Sequence, residues 1–205
     1  RYGFTNSGNT SVVLPELFTG LPPSASLEAL HSAPFLWQYA RAAGYRTLLL
    51  SAQSFKYASF ADYFLSTPPE RWFTADKEGD LLVNGGGMDD RLFTETVHRE
   101  LDLAVSDTRP FFAVIQYNAT HHPILRVPRQ APELAGSSRG DRYDNAVALL
   151  DRLLDDLRRL LDAKGVLDRT LIVVTSDHGE CLGEHPVHRT QSYYDEVLAV
   201  PILVY

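Results

Sequence analysis

Residues 171–175, Leu-Ile-Val-Val-Thr, make an apolar, β-branched run that stops abruptly at Ser176-Asp177-His178-Gly179. Such a run suits a central strand buried on both faces of a parallel sheet. Ligands in open α/β sheets gather beyond the carboxyl ends of such strands, so the Asp-His pair stands where chemistry is usually done. A carboxylate is a hard oxygen donor and an imidazole a borderline nitrogen donor, a pairing that suits zinc or manganese. Gly179 lets the backbone turn away, and His185 and His188 bring two more imidazoles into the same stretch. An isolated Asp-His-Gly is equally read as a strand-to-loop junction with a turn-forming Asp. The rest of the chain has to decide.

Upstream, helices and strands alternate. A Gly/Asn/Ser/Thr loop over residues 1–9 leads into a helix over 10–20, and a connector with two prolines follows over 21–30. Residues 32–44 read as a helix, with Ser32 as cap, Pro34 in the first turn and Gly44 as stop. Phe35, Leu36, Tyr39, Ala40 and Ala43 form its apolar face. A strand over 45–51 comes next, then an irregular aromatic stretch over 55–83 closed by Gly85-Gly86-Gly87. A helix over 89–105 carries Leu92, Phe93, Thr96, Val97, Leu101 and Ala104 on one side. A strand over 111–117 opens into Asn118-Ala119-Thr120-His121-His122-Pro123, and a Pro/Arg/Ser-rich loop of lid length covers 124–140. Residues 143–163 give the clearest helical period. The alternation implies one α/β domain over 1–205, with a mostly parallel central sheet flanked by helices on both faces.

Composition narrows the function. With 44% hydrophobic content, 205 residues bury one substantial core. The chain opens on Arg1 rather than Met and closes in a strand-like Pro201-Ile-Leu-Val-Tyr205, so it reads as part of a longer protein. No apolar stretch reaches 18 residues, so nothing here spans a membrane; an anchor upstream of Arg1 is compatible with this. A net charge of −7 argues against a nucleic-acid footprint. An anionic substrate then needs local positive charge, most simply from a metal. The single Cys181 excludes an internal disulfide, and is a metal ligand, a reactive thiol or a passive small loop residue.

Two strands end in histidine-bearing loops, one at His121-His122 and the other at Asp177-His178. If the strands are parallel, both loops share one sheet edge and can share one site, although adjacent histidines also arise as surface accidents. Thr10 is the third component. A hydroxyl at a helix start faces the positive end of the dipole, a natural place for a tetrahedral oxyanion; it is equally placed to be a helix cap. As a nucleophile it needs a metal or a base to lower its pKa. Arg126, Arg129, Arg139 and Arg142 either grip an anionic head group or belong to a solvated loop.

The run Thr175-Ser-Asp-His-Gly-Glu-Cys-Leu-Gly-Glu-His185 resembles the metal-binding signature of the sulfatase-like branch of the alkaline phosphatase superfamily. Tyr194-Asp-Glu-Val-Leu-Ala-Val-Pro201, the segments over 34–47 and 143–151, and their order along the chain fit the same family. Around Thr10 the chain is most similar to membrane-anchored phosphoethanolamine and phosphoglycerol transferases, whose nucleophilic Thr lies five residues before a Pro, as Thr10 does before Pro15. The resemblance implies an alkaline phosphatase-like fold in an extracytoplasmic enzyme anchored by a segment outside these residues. Thr10 would be nucleophile and zinc ligand, with Asp177 and His178 as ligands of the same metal; manganese, magnesium or calcium are alternatives to zinc. His121 would contact the phosphoryl group or a second metal, and His188 the substrate, with His185 competing for that role. The family also supplies an acidic ligand from a strand before the nucleophile, which these residues do not contain. Its colistin-resistance-type members carry several disulfides, whereas this chain has one Cys. The implied substrate is an anionic phosphoester, a phospholipid head group. True sulfatases take their nucleophile from a C/S-x-P-x-R context, which neither Thr10 nor Ser11 supplies. Sulfate- or phosphodiester hydrolysis is the alternative chemistry, and a catalytically dead ligand-binding domain the alternative class.

Overall fold

The computed structural model describes residues 2–77, 82–84, 86–124, 138–186, 190 and 192–205. In chain order these give β1 (Tyr2–Phe4), α1 (Thr10–Thr19), α2 (Leu27–Ser32), α3 (Leu36–Ala42), β2 (Arg46–Ser51), α4 (Phe60–Phe64), β3 (Arg71–Phe73), β4 (Leu82–Asn84) and β5 (Gly87–Met88). Then come α5 (Asp90–Val105), β6 (Phe111–Gln116), α6 (Arg139–Ala163), β7 (Val173–Thr175), α7 (Asp195–Leu198) and β8 (Ala199–Val204). Residues 37–168 form one compact unit, and residues 1–36 with 169–205 the other. This is an α/β fold with a parallel sheet and helices. Among the described residues no helix is long and apolar enough to cross a membrane.

In the contiguous unit a parallel sheet runs in the order β3-β2-β6. The central strand β2 buries Leu48, Leu49 and Leu50 completely, as expected for a strand paired on both sides. Helix α5 packs Phe93 against Phe73 of β3 and edge-on to Tyr117, and Val97, Leu101 and Ala104 continue that buried stripe. Its expected neighbour Leu92 is exposed instead. The long helix α6 starts at a reciprocal capping box between Ser138 and Asp141 and buries Leu149, Leu153, Leu157 and Leu161. Strands β2 and β6 pair from Arg46 with Phe111 to Ser51 with Gln116. They therefore end together, and the Ser51 hydroxyl donates to Gln116 Oε1 at 2.8 Å. The loop that carries His121 leaves from this carboxyl edge.

The discontinuous unit holds an antiparallel sheet in the order β1-β8-β7. This corrects the expectation for residues 171–175. The strand is β7; among the described residues it pairs with β8 alone, and Leu171 and Val173 are 73% and 56% exposed. Its apolar run specifies extended backbone but not which strand lies beside it. The parallel sheet is built by β2, β3 and β6.

Several smaller expectations also change. The opening loop contains β1, recruited by pairing with β8. The connector over 21–30 contains the start of α2, capped by Ser26 through Ala29 N–H. Ser32 ends that helix rather than starting the next, because Ala33 precedes a proline and is extended. Helix α3 begins only at Leu36 and stops before Gly44, whose φ of 86° is the left-handed stop. Phe35 and Trp37 are buried there, whereas Leu36 and Tyr39 of the expected apolar face are exposed. The indole of Trp37 is tied by Nε1–H to Thr67 O at 2.8 Å. The irregular stretch over 55–83 contains α4, β3 and part of β4. Arg139 and Arg142 belong to α6 rather than to a loop; Arg126 and Arg129 lie outside the described residues.

Candidate functional site

Asn9 caps α1. Its side-chain oxygen accepts from Ser11 N–H and from the Ser11 hydroxyl, both at 2.9 Å, while Ser7 Oγ accepts from Asn9 N–H at 3.1 Å. Thr10 is therefore the first helical residue and not the cap, so its hydroxyl is left for tertiary contacts. It donates to Asp177 Oδ2 at 2.8 Å and lies 3.1 Å from His178 Nε2. The two ends of the sequence thus bring three polar atoms to one point within the discontinuous unit.

The loop after β7 is fixed from several sides. Asp177 Oδ1 accepts from His178 N–H at 3.0 Å, which turns Oδ2 toward Thr10. His178 Nδ1 donates to the Gly179 carbonyl at 2.7 Å. A carbonyl only accepts, so Nδ1 carries the proton, and in the neutral ring Nε2 presents its lone pair toward Thr10. The Ser176 hydroxyl donates to His178 O at 2.7 Å. Gly179 N–H donates to Val197 O at 2.7 Å, tying the loop to α7. A Cβ on Gly179 would stand 2.1 Å from the Glu196 carbonyl oxygen, so this close approach requires glycine.

These donors fit a divalent cation. Thr10 Oγ1, Asp177 Oδ2 and His178 Nε2 lie 2.8 to 3.5 Å from one another. The Thr10 hydroxyl proton goes to Asp177 Oδ2, and a neutral His178 ring faces the same oxygen with its Nε2 lone pair, so three donor atoms converge on one point. Hard oxygen with borderline nitrogen is a zinc-type set, and the Nδ1–H bond to a backbone carbonyl is the usual way a ligating imidazole is oriented.

The other residues singled out in the sequence lie elsewhere. His185 Nδ1 is 2.5 Å from Glu196 Oε1, and its ring stacks on Tyr194 with centroids 3.7 Å apart and planes 9° from parallel. It clamps the loop to α7 and does not bond Thr10, Asp177 or His178. His188 lies outside the described residues. His121 belongs to the contiguous unit, in the turn after β6, where its N–H donates to Asn118 O at 2.9 Å. Cys181 is buried, and its thiol groups with the carboxylates of Glu184 and Glu196, ligand atoms within 4.8 Å of one another. Both carboxylates are already engaged, Glu184 by Leu182 N–H at 2.7 Å and Glu196 by His185.

Sequence reading missed Glu196 and Asp90. Glu196 reads as an ordinary acid in the first turn of a helix, although its spacing from the Gly-Glu-His segment is a usable signal. Asp90 is a fully buried carboxylate that accepts N–H bonds from the His121 turn. Nothing in the pair Asp89-Asp90 distinguishes it from a solvated helix start.

Comparison with known proteins places this geometry in context. The Ulvan-active sulfatase of Formosa agariphila is 28% identical over 131 residues, covering 54% of this chain and 25% of that protein. The lipoteichoic acid synthase LtaP from Listeria monocytogenes superposes with a TM-score of 0.76 at 14% identity, covering 98% of this chain and 56% of that one. The soluble domain of lipooligosaccharide phosphoethanolamine transferase A from Neisseria meningitidis gives 0.72 at 17% identity, with 98% and 63% covered. The zinc complex of the C-terminal periplasmic domain of EcEptC from Escherichia coli gives 0.68 at 15% identity, with 98% and 60% covered. At these identities the structural likeness is one of fold, and the chain spans a quarter of the relative's length and about 60% of each solved structure. The sulfatase family model matches residues 2–205. The chain belongs to the sulfatase family, and it shares its α/β fold with these structures.

Proposed function

We propose that this chain, acting as one catalytic domain over residues 1–205, is a metal-dependent phosphotransferase. It moves a phosphoethanolamine- or phosphoglycerol-type group from a phospholipid to an acceptor hydroxyl through a phospho-threonine at Thr10. The observation that carries this reading is the Thr10 hydroxyl, freed from helix capping and held 2.8 Å from Asp177 Oδ2 and 3.1 Å from His178 Nε2. Thr10, Asp177 and His178 would hold the metal, with zinc first and manganese, magnesium or calcium as alternatives. Bound there, a divalent ion supplies Lewis-acid charge that lowers the hydroxyl pKa and offsets the charge on phosphoryl oxygens.

The residues supply the rest. Thr10 Oγ1 attacks phosphorus, the bond to the lipid alcohol breaks, and that alcohol leaves with a proton. An acceptor hydroxyl then attacks the phospho-threonine, loses its own proton and restores the Thr10 hydroxyl. Placement of Thr10 on the first turn of α1 directs the helix dipole at the anionic group. His121 contacts the phosphoryl oxygens. His185, with Nδ1 committed to Glu196, has Nε2 for substrate and competes with His188 for that contact. The enzyme works outside the cytoplasm, anchored by segments outside these residues.

Hydrolysis of sulfate esters or of phosphodiesters is the second reading, its sulfatase form favoured by the likeness to an Ulvan-active sulfatase. Sulfatase proper is disfavoured by threonine in the nucleophile position.

The test uses full-length protein incubated with phosphatidylethanolamine or phosphatidylglycerol vesicles. Mass spectrometry is expected to find the head-group adduct on Thr10, absent in Thr10→Ala. Elemental analysis is expected to show zinc that Asp177→Asn loses. An adduct elsewhere, or turnover unchanged in Thr10→Ala, ends the nucleophile assignment. Turnover of p-nitrophenyl sulfate in preference to bis-p-nitrophenyl phosphate selects sulfatase chemistry, and release of free head group to water with no transfer to an acceptor selects phosphodiester hydrolysis.

A further inference from the structure

Asp90 is the first residue of α5 and is fully buried. It does not cap its own helix, because Asp89 does so by accepting from Arg91 N–H at 2.9 Å. Its carboxylate turns instead to the loop after β6. Asn118 N–H is shared between Asp90 Oδ1 and Oδ2, both at 2.9 Å, and Ala119 N–H donates to Oδ2 at 2.6 Å. Asn118 and Ala119 are themselves 1% exposed. The turn then closes through His121 N–H to Asn118 O at 2.9 Å.

A second contact braces the same turn. The Asn118 amide reaches Met88 O at 3.3 Å and packs closely on Gly87, where a Cβ would stand 2.4 Å from Asn118 Cγ and 2.7 Å from Ala52 O. A Cβ on neighbouring Gly86 would come to 3.8 Å from His121 Cε1, an ordinary contact. The turn is thus held through its backbone by a buried carboxylate and through the Asn118 side chain by close packing on Gly87.

We infer that Asp90 is the positioning residue for His121, a carboxylate latch that fixes the turn presenting this imidazole to the phosphoryl or sulfuryl group. This rests on the reading that His121 contacts substrate. Burying a carboxylate costs stability unless its acceptors are filled. Here both oxygens are filled by Asn118 and Ala119 N–H, at the start of the turn that carries His121, so removing the carboxylate leaves buried donors unmatched and lets the turn relax. Displacement of a substrate-contacting group by about 1 Å lowers turnover on the order of 100-fold.

The experiment compares full-length wild type, Asp90→Asn, Asp90→Ala, His121→Ala and the double variant Asp90→Asn/His121→Ala on bis-p-nitrophenyl phosphate. Asp90→Asn is isosteric and serves if Asp90→Ala fails to fold. Expected is a loss in kcat/KM of about 10- to 100-fold for Asp90→Asn, with the double variant no worse than His121→Ala alone. A loss that multiplies in the double variant overturns the latch, because Asp90 then acts independently of His121. In parallel, carbon–proton spectra of histidine-labelled protein should show the His121 Cε1 resonance shifted in Asp90→Asn, with His178 unmoved. An unmoved His121 resonance also overturns the proposal. A shifted resonance with full activity in His121→Ala keeps the latch and instead refutes the substrate contact.

Discussion

At the scale of single residues, two positions are set by what touches them. Gly179 carries no side chain because Glu196 O occupies that space, 2.1 Å from where a Cβ would sit. Backbone cannot swing aside as a side-chain tip can, so Gly179→Ala pushes the Asp177–His178 loop off α7. The expected cost is about 1–3 kcal/mol in urea denaturation; a variant equal to wild type would refute the close approach. Asp90 gives a pH signature. Burial raises its pKa to about 7, with Asn118 and Ala119 N–H groups pulling it down and Asp89 adding to the rise. Between about pH 4 and pH 7 the folded chain holds a proton that the unfolded chain has released. Unfolding free energy therefore falls as pH rises, by about 4 kcal/mol at this group. Asp90→Asn should flatten that slope in denaturation series from pH 4 to 7, and parallel curves would count against it. The Asp-His-Gly motif was legible because strand end and turn are local properties. Asp90 was not, since its neighbours Asn118 and Ala119 are distant in sequence.

Among the elements, β3 shows how a three-residue strand can escape detection and still be held firmly. Arg-Trp-Phe is too short to show a period, and two prolines precede it. Its place comes from pairing with β2 and from Arg71, whose guanidinium makes a two-pronged bond to Glu100 of α5. That bond holds the Glu100 carboxyl below its usual range, against the opposing effect of burial. The contribution is fully present above the ordinary glutamate pKa and is lost as pH falls through the depressed one. Because Arg71 is partly exposed, Glu100→Gln is expected to cost about 1–2 kcal/mol at pH 7. The gap to wild type should close in acid; a gap constant down to pH 3 would exclude the ion pair as its source. Helices α5 and α6 were readable from periodicity, as their buried stripes repeat at helical spacing. The partner of β7 was not, because an apolar run says nothing about which edge it meets.

For the molecule as a whole, alternation of helix and strand was enough to read an α/β fold with a parallel sheet. It could not reveal that β7 joins β1 and β8 in an antiparallel sheet within a separate compact unit. If the metal is held by Thr10, Asp177 and His178, a chelator should lower amide protection in β1, β7 and β8 and leave β2 and β6 unchanged. Equal loss in both sheets, or none, would contradict that placement. The discontinuous unit also has a consequence in time. Thr10 and Asp177 are 167 positions apart, so at ordinary translation speeds roughly 10–30 s separate their synthesis. Residues 37–168 leave the ribosome as one continuous piece and can fold while residues 1–36 wait for 169–205. Strand β1 emerges long before β8 exists to pair with it. Thr10 is thus made well before Asp177 and His178, and its contacts with them must wait until both have been synthesised.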